Sequence, residues 1–103
     1  MMLASFAILP FGVGEELKEH VAAVVALVAA SGLDHKLGAM QTTIEGDQAE
    51  VMELIIQCHN LMMERAPRVL TSITMDDRRG ASGRLEGKVA DVEEVLARQV
   101  THE

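Results

Sequence analysis

From Arg68 to Asp76 the side chains alternate in character: Val69, Thr71, Ile73 and Met75 fall on one parity, and Leu70, Ser72, Thr74 and Asp76 on the other. A period of two sustained over this length is the pattern of a strand with one face on a core. A helix does not produce it, because helical neighbours on one face recur at three and four residues. A strand also needs partners for its ladder of hydrogen bonds, so the chain is committed to a sheet. The half-polar second face points to an antiparallel sheet covered on one side, since all-parallel sheets are buried on both.

The other segments supply the partners. Leu3 to Leu9 is apolar on both parities apart from Ser5, which predicts a buried central strand, with Pro10, Gly12 and Gly14 forming the turn after it. Glu15 and Glu16 open a predicted helix, Leu17, Val21, Val24, Val25 and Val28 recur along it at helical spacing, and Ser31-Gly32 stops it. His35 to Met40 and Gln41 to Glu45 read as two short strands. Asp47 and Glu50 have the spacing of a capping box, and Val51, Leu54, Ile55, Cys58, Leu61 and Met62 make the apolar stripe of the helix that follows. Ala66-Pro67 ends that helix, because the residue before proline disfavours helical backbone. After Arg68 to Asp76 comes a basic, glycine-containing loop, Arg78 to Arg84. A narrow seam of Leu85, Val89, Val92, Leu96 and Val100 then marks a terminal helix.

The order β-α-β-β-α-β-α predicts an α+β fold, a ferredoxin-like βαββαβ sandwich with an extra C-terminal helix, in one domain over residues 1–103. Two helices cover one sheet face. The other is left for solvent, a ligand or another subunit, and on it fall Ser5, Thr43, Glu45, Ser72 and Thr74. The seam on the last helix predicts docking on another subunit or on a sheet, and with it an oligomer.

Composition narrows the function. With 16 acidic against nine basic residues the net charge is −7, and there are two Phe and neither Tyr nor Trp. A phosphate backbone is a poor partner for such a surface, and base-stacking platforms are missing, so no nucleic-acid partner is expected. Six of the nine basic residues nevertheless fall in one stretch: Arg65, Arg68, Arg78, Arg79, Arg84 and Lys88. A single cysteine, Cys58, fits a reducing compartment. The apolar start stops at Pro10-Phe11-Gly12, far short of the roughly 20 residues of a membrane helix. The expected setting is the cytoplasm, with no membrane partner.

Four stretches carry a resemblance: Leu9 to Gly12, Met40 to Asp47, Arg68 to Arg78 and Leu85 to Val89. In this order they are similar to the thiamine-binding protein family, short ferredoxin-like proteins related to bacterial thiamine and hydroxymethylpyrimidine binders. The resemblance covers nearly the whole chain. It implies a non-enzymatic protein, dimers assembled into tetramers, thiamine or its pyrimidine moiety as ligand, and no required cofactor. Where the family commonly has a Pro-Met-Gly-Thr run, this chain has Ala39-Met40-Gln41-Thr42.

Several residues could serve such a ligand. The Glu45 carboxylate beside Thr42 and Thr43 can accept from an exocyclic amine and offset a thiazolium charge; alternatively it pairs with an arginine. Thr42 points opposite to Glu45 on a regular strand. Ser72 and Thr74 can hydrogen-bond a ring nitrogen or simply pair across strands with other hydroxyls. Met40 and Phe6 are candidates for contact with a flat heteroaromatic ring. Arg68, Arg78, Arg79 and Arg84 either hold an anion or form ion pairs with Asp76 and Asp77. His20, His35, His59 and His102 have no metal-ligand spacing, and Cys58, on the helical stripe, reads as a core residue. No serine sits in a nucleophile elbow and no carboxylate pair has an acid-base setting, so an enzyme is not expected.

Overall fold

The computed structural model describes residues 1–80 and 83–101, the side chains of Lys88 and of residues 98–101 excepted. Its elements are β1 (Met2–Phe11), α1 (Lys18–Ala30), β2 (Asp34–Leu37), β3 (Thr42–Gly46), α2 (Gln48–Met63), β4 (Arg68–Asp77) and α3 (Arg84–Thr101). The strand order is β2-β3-β1-β4, and every neighbouring pair is antiparallel. This is the expected α+β, ferredoxin-like order with one added helix.

The alternation along each strand divides the molecule into two sides. Met2, Ala4 and Phe6 of β1 and Ile44 of β3 face α1 and α2, where they join Val24, Val28, Val51, Leu54, Ile55, Cys58 and Met62 in one core. The predicted stripe of α2 is therefore the main helical contribution to that core, with Leu61 at its margin. A mostly aliphatic and sulfur-containing core is what a chain with two phenylalanines must build, and Phe6 is the aromatic that enters it.

Several local expectations are corrected. Pro10 lies inside β1, paired with Val69, rather than in the turn. The pairing of β3 with β1 ends at Phe6, so further along β1 is flanked by β4 alone, an edge setting that tolerates proline. The turn begins at Gly12, whose φ of +83° and closeness to Pro67, 2.8 Å from an added Cβ, both demand glycine. Glu15 and Glu16 precede α1 instead of opening it, since the helix starts at Lys18 with Leu17 at its N-cap. Of the α1 stripe, Val24 and Val28 are buried, whereas Leu17 and Val21 are exposed. Asp47 occupies the N-cap position of α2 with extended backbone, but its side chain makes no cap bond and the capping box does not form. The strand predicted over His35 to Met40 stops at Leu37, and Gly38 and Gln41 close a turn through a 2.8 Å backbone hydrogen bond.

The open face also differs from expectation. The first turns of α3 lie over β2 and β3, so that face is roofed at one end. Further along the helix Val89, Val92 and Leu96 are about half exposed, while the Val100 side chain lies outside the described residues. The radius of gyration is 16.1 Å and the longest dimension 54 Å, against about 13 Å expected for the radius of a compact chain of this length. No helix among the described residues is long and apolar enough to cross a membrane.

Candidate functional site

Register brings hydroxyls together on the open face. Ser5 of β1 sits opposite Thr43 of β3 on one side and opposite Thr74 of β4 on the other. Leu3 is likewise flanked by Glu45 and Asp76, and Ala7 faces Ser72. The five residues expected on this face are therefore all on it. Thr43 Oγ1 donates to Ser5 Oγ at 3.5 Å, and Ser5 Oγ donates to Gln41 Oε1.

The start of α3 closes a cavity of about 330 Å³ over this row. Ser5, Thr43, Thr74, Asp76 and Lys36 supply its polar wall, and Leu3, Leu85 and Val89 its apolar one. What fixes the roof is Glu45. Its side chain is 5% exposed, and Oε2 accepts the backbone N–H of Arg84, the first residue of α3, at 2.7 Å. A carboxylate at a helix N-terminus meets both an orphan donor and the positive end of the dipole. Lys36 adds an ion pair to Glu86 at 3.0 Å. The arginine pairing expected as an alternative for Glu45 takes another form: the bond goes to the Arg84 backbone amide, not to a guanidinium.

The remaining candidates lie elsewhere. Thr42 and Phe6 are on the helix side, as the alternation of β3 and β1 requires, and Phe6 is 2% exposed within the core. Met40 is exposed in the turn before β3. With Gln41, Leu37 and Val21, these three line a second, largely apolar groove of about 290 Å³. The regular register of β3 keeps the two sets on opposite sides of the sheet, and Ser72 borders neither cavity.

Of the basic stretch, Arg84 pairs with Asp91 at 3.0 Å on its own helix, and the Arg68 guanidinium lies 4.9 Å from the centre of the Phe11 ring. Among the described residues no group of three or more His, Cys, Asp or Glu side chains is placed to hold a metal. His59 Nδ1 lies 2.6 Å from Thr71 Oγ1, tying α2 to β4, and His20 Nδ1 accepts from Arg65 Nε at 3.0 Å. His102 lies outside the described residues.

Cys58 is fully buried, and burial pushes its thiol up to about 11 from an ordinary value of 9.0. Below that pH it is a protonated thiol, a poor nucleophile. Thiol reagents at pH 8 are therefore expected to label it at least 100-fold more slowly in the native protein than in urea, as mass spectrometry over time will read. Equal rates would place Cys58 outside the core.

Two site features were missed in the sequence. Asp76 shares the parity of Ser72 and Thr74, so its place in the cavity wall was legible in the alternation of β4. The seat of α3 on Glu45 was not, because acceptor and donor stand 39 residues apart and no local spacing encodes them.

The description of the thiamine-binding protein family matches residues 4–93, spanning both cavities and the start of α3. The chain belongs to the thiamine-binding protein family. A Mycobacterium bovis relative is 41% identical over 98 residues, covering 94% of this chain and 96% of its own. One from Synechocystis is 32% identical over 93 residues, with 89% and 77% covered. The solved structure of a Methanocaldococcus jannaschii protein superposes on this family member with a TM-score of 0.83 at 25% identity, covering 90% and 96% of the two chains. A Thermotoga maritima structure shares the fold with a TM-score of 0.79 at 21% identity, covering 88% and 97%.

Proposed function

We propose that this family member is a non-catalytic, cytoplasmic homo-oligomer that binds thiamine or a related aminopyrimidine such as hydroxymethylpyrimidine. The observation that carries the reading is the cavity under α3, where a carboxylate and a row of hydroxyls face apolar side chains. Its volume falls within the range of small-molecule sites, about 300–1,000 Å³. An exocyclic amine would donate to Asp76, and a ring nitrogen would accept from Thr74 or Ser5. Leu3, Leu85 and Val89 would cover the ring faces, and the Asp76 charge would offset a thiazolium. The family name, and the Thermotoga maritima neighbour, whose name points to thiamine biosynthesis or salvage, support this ligand class.

Calorimetry with thiamine and with hydroxymethylpyrimidine tests the reading. Asp76→Asn is expected to weaken binding roughly 10- to 150-fold, the worth of a charge-assisted hydrogen bond. Absence of heat for either compound at millimolar concentration rejects the ligand and leaves a purely structural or regulatory homo-oligomer. A specific observation favours the helix-side groove as a second reading: Met40, Gln41 and Thr42 line it, and they stand where the family has its Pro-Met-Gly-Thr run. In that case Thr42→Val, not Asp76→Asn, carries the loss. Chromatographic recovery of altered thiamine after incubation would show a catalyst instead.

A further inference from the structure

Two apolar surfaces stand about half exposed, one on α3 and the other on the open face of the sheet. The first is the outer part of α3, where Val89, Val92, Val95 and Leu96 are between 44% and 59% exposed. The second is the far end of the open face, where register sets Leu9 opposite Leu70 and Phe11 opposite Arg68. Leu9, Phe11 and Leu70 there are 41–48% exposed. The start of α3 is pinned over β2 and β3 by Glu45 and by the Lys36–Glu86 pair, and the helix packs on those two strands. The Leu9–Leu70 patch belongs to β1 and β4, at the opposite end of the face.

We infer that α3 is an arm exchanged between two copies of this chain, each laying Val92 and Leu96 on the partner's Leu9, Phe11 and Leu70. The inference rests on the oligomer of the proposed function and specifies which surfaces meet. Charge supports the choice of occupant. Glu93 follows Val89 by four residues and precedes Leu96 by three, so it borders the apolar stripe, and Arg68 stands within the receiving patch. The elongation of the monomer, 54 Å in its longest dimension, is then the shape of a protomer lifted out of a dimer.

The test uses Leu96→Asp and Leu70→Asp in the full chain, each at a half-exposed position. Sedimentation equilibrium is expected to show an associated wild type, with each variant alone self-associating about 30-fold or more weakly, the scale of a lost interface hot spot. Mixing the two variants should restore association in part. A mixed dimer keeps one intact arm on one intact patch, whereas either variant alone keeps none. Dissociation by Leu96→Asp alone would mean helix pairing with helix, and dissociation by Leu70→Asp alone would mean patch pairing with patch. Either outcome, or a mixture that stays dissociated, overturns the exchange while leaving the oligomer standing. A monomeric wild type overturns the oligomer itself. Circular dichroism checks the fold, and Leu96→Ser with Leu70→Ser replaces the pair if an Asp variant unfolds.

Discussion

Glu45→Ala is expected to lower the stability of the protein by about 1.5–3 kcal/mol, while Glu45→Gln loses less than half of that. The carboxylate is 5% exposed, and its Oε2 holds the first amide of α3 at 2.7 Å. Alanine removes the acceptor and leaves Arg84 N–H to find water beneath a displaced helix. Glutamine keeps an amide oxygen of the same reach and gives up only the charge, with its share of the helix-dipole interaction, about 0.3–1 kcal/mol. A domain of this class is stable by roughly 5–15 kcal/mol in all, so the alanine change is a substantial fraction. Urea unfolding reads both variants. If Glu45 acts through the roof of the cavity, Glu45→Ala also abolishes ligand binding, Glu45→Gln retains most of it, and Asp76→Asn weakens binding. Coincident midpoints for Glu45→Ala and wild type would sink this account. Equal loss of binding in Glu45→Gln and Asp76→Asn would return Glu45 to direct ligand contact.

This behaviour separates what local spacing encodes from what it does not. The alternation of Arg68 to Asp76 and the stripe from Val51 to Met62 foretold which side chains enter the core, because a strand or helix with one greasy face has one way to bury it. The same parity placed Ser5, Thr43, Glu45, Ser72 and Thr74 on a common face. Helix starts were less legible. Glu15 and Glu16 suit the first turn of a helix, yet the helix opens only at Lys18, and Asp47 takes the cap position without making the cap bond. Pro10 was misplaced because its tolerance depends on how far β3 reaches along β1, a fact about another strand. Glu45 is the extreme case: its role is set by where α3 returns to the sheet.

Phe6 offers the larger effect. Phe6→Ala is expected to cost about 3–5 kcal/mol, close to the whole stability of a marginal domain of this size. Phe6→Leu should cost under about 1.5 kcal/mol, since it conserves most of the volume. The side chain is 2% exposed, stands opposite Ile73 and Thr42 on the helix side, and belongs to the cluster that includes Val24, Val28 and Met62. Deleting the ring would leave a void bounded by two helices and three strands, which can close only in part. The leucine variant separates packing from recognition. A ring that stacked on a heteroaromatic ligand would lose that contact in Phe6→Leu, whereas a core ring would leave affinity unchanged. Phe6→Leu is therefore expected to bind thiamine like the wild type, within about twofold by calorimetry, while its urea midpoint falls slightly. Preserved stability with a tenfold loss of affinity would move Phe6 from the core to the site and make the helix-side groove the place where the ligand binds.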